Sequence, residues 1–145
     1  MKQRITIEDL NTLTDEQKVH IQKWWKPKQG DYALSAENNN QSNGKTVVLS
    51  TVAKHPREFY GEKGVFVAFF VYENKDNGHM GNLDKLYPLL SIGQMIEFLR
   101  NQTEFSLDTH KDKFGVSFKQ DDGKYISWDK VELCDALFAA VKQVI

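Results

Sequence analysis

Phe114-Gly115-Val116-Ser117-Phe118, then Gln120-Asp121-Asp122-Gly123, then Lys124-Tyr125-Ile126-Ser127-Trp128 run almost directly into Leu133–Val144. The first and third pieces alternate in polarity around an Asp-Gly turn, which predicts a β-hairpin. The last piece changes period. Leu133, Ala136, Leu137, Ala140, Val141 and Val144 fall at spacings 0, 3, 4, 7, 8 and 11, the stripe of an amphipathic helix. Asp129 reads as its N-cap, with Glu132 at the third helical position. A hairpin followed by a core helix, without regular strand–helix–strand alternation, predicts an α+β fold. Its sheet is expected to be mainly antiparallel and covered by two core helices, with a helical N-terminal segment.

Working outward, Pro88-Leu89-Leu90-Ser91-Ile92-Gly93-Gln94 opens the other core helix. Ser91 and Gln94 form a capping box, and Ile92, Met95, Ile96 and Leu99 mark its apolar face. Glu104 to Asp108 is expected to pair with the hairpin. Near the start, Thr6 caps a short turn, and Thr14-Asp15-Glu16-Gln17 is a further capping box opening a helix from Asp15 to about Trp25. Pro27 ends that helix. Tyr32-Ala33-Leu34, Thr46–Val52 and Val65–Tyr72 read as strands. The third is apolar on both faces, which predicts a central position. His55-Pro56 is expected to break the second strand, and Gly61–Gly64 to form a turn. Asn74 to Asn82, rich in Asn and Gly, reads as a loop. Glu37 to Gly44 reads as a mobile, dispensable loop, since it has no apolar side chain to bury.

The 145 residues suit a single domain spanning 1–145. Formal net charge is -1, and no third of the chain departs from neutrality by more than two charges. That evenness argues against a nucleic-acid footprint, which needs clustered cations. The longest apolar run, Val65 to Val71, is far short of the ~20 residues of a membrane span. No apolar segment follows Lys2 and Arg4, so no signal peptide is expected. The one cysteine, Cys134, excludes an intramolecular disulfide and fits a cytoplasmic setting.

Three stretches stand out together. They are Trp25-Lys26-Pro27-Lys28-Gln29-Gly30-Asp31, Tyr87-Pro88-Leu89-Leu90-Ser91-Ile92-Gly93-Gln94-Met95-Ile96-Glu97-Phe98-Leu99, and Glu132-Leu133-Cys134-Asp135-Ala136-Leu137-Phe138-Ala139-Ala140-Val141-Lys142. They resemble small proteins of unassigned role encoded in phages and prophages of Gram-positive bacteria. That pattern is Trp-x-Pro-x-x-Gly-Asp, Pro-Leu-Leu-Ser-Ile-Gly-Gln and Asp-Ala-Leu-Trp-x-Ala-Val-Lys, with Phe138 standing here for the last Trp. The resemblance implies a phage origin and an intracellular setting. It brings no activity and no site residues.

Chemistry is sparse. His20, His55, His79 and His110 show no metal-ligand spacing. His79, with Asp76 and Asp84 near it in sequence, is the candidate for a loop-built enzyme site, as a general base or half a metal site. A solvated loop histidine is the plainer reading. Asp121-Asp122-Gly123 lacks the ligand spacing of a calcium loop. Cys134 lies where a helix dipole can lower a thiol pKa, but its apolar neighbours suit a packed residue. Trp24 and Trp25, flanked by Lys23, Lys26 and Lys28, are either core area shared with Ile21 or a partner-binding patch. Trp24, Trp25 and Lys26 are therefore the candidate contact residues. The function expected is a non-enzymatic module that binds another protein and needs no cofactor and no metal. The alternatives are an enzyme around His79, and a weak nucleic-acid binder using Trp24, Trp25 and the lysines Lys23, Lys26, Lys28 and Lys54.

Overall fold

Thr6 and Thr14 each close a capping box, so two helices start where their hydroxyls meet orphan N–H groups: α1 (Ile7–Asn11) and α2 (Asp15–Trp24). The computed structural model describes residues 1–37, 41–52, 57–59 and 62–145, and the statements below concern these. Strands β1 (Tyr32–Ser35), β2 (Thr46–Val52), β3 (Arg57–Phe59), β4 (Glu62–Gly64), β5 (Phe66–Val71) and β6 (Asn74–Asn82) follow. After a 3-10 turn at Leu83–Lys85 come β7 (Leu86–Pro88), α3 (Ile92–Gln102), β8 (Phe105–His110), β9 (Lys113–Lys119), β10 (Tyr125–Lys130) and α4 (Leu133–Val144). The described strand pairs are all antiparallel, and the fold is α+β. The strands divide into a five-stranded sheet, a three-stranded sheet and the β3–β4 ribbon.

The residues gather into two compact units, Thr14–Leu89 and Met1–Leu13 with Leu90–Ile145. The first holds the five-stranded sheet, ordered β6-β5-β2-β1-β7. Register stands Ala33, Val47 and Val71 in one cross-strand row, with Leu49 opposite Phe69 in the next. These side chains form a buried core with Trp25, Val67 and Leu86. α2 packs on β7, and the Gln22 side-chain amide donates to the Asp84 and Leu86 carbonyl oxygens at 2.9 and 2.8 Å.

β5 is an interior strand as expected, with β6 and β2 on its two sides, whereas other expectations are corrected in this unit. Asn74–Asn82 is a nine-residue edge strand instead of a loop. Its polar composition suits an edge strand, which pairs with β5 on one side and with no described strand on the other. Gly81 is required there, since a Cβ would lie 2.8 Å from Phe69 Cε1 and 3.0 Å from Glu37 Oε1. Glu62–Gly64 is a strand paired with Arg57–Phe59, not a turn. His55-Pro56 lies outside the described residues, as do residues 38–40 of the Glu37–Gly44 stretch. The rest of that stretch is anchored. Ser42 is fully buried, its hydroxyl 2.8 Å from that of Ser35, and the Gly44 N–H donates to the Ser35 carbonyl. Buried hydrogen bonds supply the order that apolar side chains do not.

The second unit builds on the three-stranded sheet β10-β9-β8. Gly123, at φ +85°, takes the left-handed turn position of the β9–β10 hairpin. Val116 and Phe118 of β9 are buried, and α4 packs on β9, β10 and α3. Ser91 caps α3 with the expected capping box, and Met95, Phe98 and Leu99 are its buried positions. α4 buries Cys134, Ala136, Leu137, Phe138, Ala140 and Val141. Asp129 does not cap it. Asp129 is held in the β10 ladder opposite Gly115, and Glu132 stands at the cap without a side-chain cap bond. Residues 1–13 complete the unit. The Ile5 N–H donates to the Leu90 carbonyl at 3.0 Å, Arg4 bridges Ser91, and Lys2 Nζ lies 2.6 Å from Asp9 and 2.7 Å from Asp135. No described helix is long and apolar enough to cross a membrane.

Candidate functional site

Pro27 restricts Lys26, so the chain cannot continue as a helix beyond Trp24. Trp25 takes extended geometry, φ -60° and ψ 127°, and this change of direction separates the two indoles. Trp25 turns inward. It is 5% exposed, and its indole N–H donates to Asp31 Oδ2 at 2.9 Å. The same oxygen accepts the Lys28 N–H at 3.0 Å, which closes the turn beyond the helix. Trp25 is therefore a core side chain and offers no contact surface. Trp24 stays on α2, half-buried, with one side against the core. Lys26 is exposed just beyond it.

The outer face of α2 is a shallow groove. Glu16, Val19, His20, Lys23 and Trp24 line it, at spacings 0, 3, 4, 7 and 8. Val19, 36% exposed, and the Trp24 ring form an apolar centre, and the charged residues form a rim. Lys23, Lys26 and Lys28 are all exposed and make the C-terminal end of the face basic. Lys54 lies outside the described residues. Val19, His20 and Glu16 were legible from their spacing once Trp24 is taken as the outward indole. With Trp24 and Trp25 both assigned inward or both outward, the stripe does not emerge.

His79 stands elsewhere, on β6 opposite Phe69, on the core side of the sheet edge. Its ring packs on the Phe69 ring with centroids 5.8 Å apart, and its Nε2 is buried without a hydrogen-bond partner. Asp76 and Asp84 are exposed, and neither carboxylate is hydrogen-bonded to His79 among the described residues. The three residues thus share a segment but are not assembled into an acid–base pair. Among the described residues no three His, Cys, Asp or Glu side chains gather as metal ligands. Burial pushes the Cys134 thiol up to about 11, outweighing the nearby Lys2 charge that favours the thiolate. The helix-dipole activation weighed above is thus overridden. Comparison with protein-family models, curated proteins and solved structures finds no match to this chain.

Proposed function

We propose that this chain is a small phage-type protein of the cytoplasm that acts by binding another protein, without catalysis. The outer face of α2 is its contact surface, and Trp24 is the anchor. The observation that carries this reading is the combination on one helix face of an apolar centre, Val19 and Trp24, with a charged rim. A half-buried indole inside a polar ring matches the way a few large aromatic side chains dominate interface energetics. Lys23, Lys26 and Lys28 favour a partner whose matching edge is acidic, since complementary charge speeds encounter and fixes orientation.

The test is site-specific photo-crosslinking from position 20 in lysate of a bacterial host. The reading expects a discrete adduct that is lost in Trp24→Ala, weakened in Lys23→Glu, and restored to neither by added nucleic acid. The thermal midpoint of Lys23→Glu should remain close to that of the parent, and Trp24→Ala, which also loses packing against the core, should lower it while remaining folded at the temperature of the assay. An adduct indifferent to Trp24, or none at all, overturns the assignment of this face.

A further inference from the structure

Along β10, Ile126, Trp128 and Lys130 share one face by alternation, and register puts Trp128 opposite the buried Val116. That is the face on which α4 lies. On α4, Asp135, Phe138, Ala139, Lys142 and Gln143 recur at helical spacing along the side that borders β10. Between them runs a groove of about 590 Å3, within the span of roughly 300–1,000 Å3 usual for small-molecule sites. One wall is the indole of Trp128, half-buried and packed at a tilt of 36° against Phe118, ring centroids 5.3 Å apart. Among the described residues its indole N–H has no acceptor. Opposite, Ala139 presents only a methyl group, so the helix leaves space where a longer side chain would fill the groove.

The charges in the lining are not balanced. Three lysines, Lys2, Lys130 and Lys142, face two aspartates, Asp9 and Asp135. Both aspartates are committed to Lys2, at 2.6 and 2.7 Å. Lys142 is held in place at the groove, its Nζ 3.1 Å from Thr12 Oγ1 and 5.8 Å from the centroid of the Phe138 ring. Lys130 is exposed at the rim, two residues from Trp128 on the same face. A flat indole wall, a small opposing residue and cations at the rim fit a flat ring that carries negative charge.

We infer that this groove binds a small planar aromatic anion, its ring between Trp128 and Ala139 and its charged group toward Lys130 and Lys142. A nucleoside monophosphate and an aromatic carboxylate share that chemistry. The site lies apart from the α2 face and does not rest on the function proposed for it.

The test follows the indole Nε1–H resonances of the full chain in two-dimensional NMR, with Trp128→Phe identifying the Trp128 signal. The probes are AMP and indole-3-acetate as aromatic anions, adenosine as a neutral aromatic, and inorganic phosphate. A saturable shift of the Trp128 signal with either anion is expected, and the one that binds tighter identifies the source. Adenosine and phosphate should each bind at least tenfold more weakly. Lys130→Gln, an exposed substitution, should weaken the anion at least tenfold while leaving the spectrum otherwise intact. Ala139→Leu should abolish the shift by filling the groove. A Trp128 signal unmoved by both anions at millimolar concentration overturns the inference. So does adenosine binding as tightly as AMP, or an equal response to phosphate alone.

Discussion

Asp31 shows how much one carboxylate can decide. Its Oδ2 takes both the Trp25 indole N–H and the Lys28 N–H, so the turn beyond α2 and the burial of Trp25 depend on the same atom. Asp31→Ala strands a buried donor and should cost about 1–3 kcal/mol. Asp31→Asn keeps an acceptor and should cost less. Urea denaturation distinguishes them, and equal midpoints would mean that the bond to the indole contributes nothing. Cys134 makes the opposite point. With its thiol pushed up to about 11 by burial, it should stay unreactive toward a disulfide reagent at pH 8 in the native chain and react at once in denaturant. Rapid native labelling would show that the site opens. Neither residue's state was fully readable from sequence. Trp25 and Asp31 lie close enough for pairing to be imagined, but which of two adjacent indoles turns inward is set by the backbone at Pro27. For Cys134, apolar neighbours pointed correctly to packing.

Among the elements, those specified by short-range chemistry were legible. The boxes at Thr14 and Ser91 start their helices as read, and the cap read at Thr6 is closed into a box by Asp9, because both partners lie within four residues. β6 was not legible, since its pairing comes from β5 and not from its own side chains. The cap of α4 was misplaced for a related reason: the ladder claims Asp129 before the helix can. The Ser35–Ser42 hydrogen bond belongs to this class of pairings. Ser42→Ala alone removes one of two partners of the Ser35 hydroxyl, which still accepts the Glu37 N–H at 3.3 Å, and should cost about 0.5–1.5 kcal/mol, whereas the double replacement by Ala should cost less than the two single losses added. Additive losses in a double-mutant cycle would rule out direct coupling. The link between Lys2 and α1 is expected to respond to pH. Burial pushes the Asp9 carboxyl up, but hydrogen bonds from Lys2 and the Thr6 N–H and the Lys2 charge outweigh it and hold it below its ordinary value. Its folded pKa is depressed, so its contribution is complete above the unfolded value of about 3.9 and is lost as pH falls through the lower folded value. Asp9→Asn should flatten that part of the acid-stability profile. An identical profile in the variant would assign the acid response to other carboxylates.

At the scale of the whole molecule, the unit that carries α3 and α4 is assembled from both sides of an insertion. Met1–Leu13 joins Leu90–Ile145, while Thr14–Leu89 forms the other unit without interruption. The α+β class was readable from local periodicity, but this division was not, because it rests on pairings such as Lys2 with Asp135, 133 positions apart. The same holds for the groove at Trp128, whose lining comes from residues near 2–12 and 128–143. Within such a unit, Leu137→Ala should cost about 2–5 kcal/mol, the usual penalty for truncating a fully buried Leu. It should also speed exchange of the Ile5 amide, which is bonded to the Leu90 carbonyl in the same unit. Unchanged exchange at Ile5 alongside a lowered midpoint would show that residues 1–13 are a separate cooperative element. The interrupted unit also sets a timetable for the nascent chain. At about 5–20 residues per second, ribosomes need on the order of ten seconds to pass from Leu13 to Leu90. During that interval Ile5, Leu10 and Leu13, all buried in the finished protein, have no native counterpart from the later segment to cover them. A segment translated this long before its partners is thus late to find shelter, and it is where a chaperone would have most to hold.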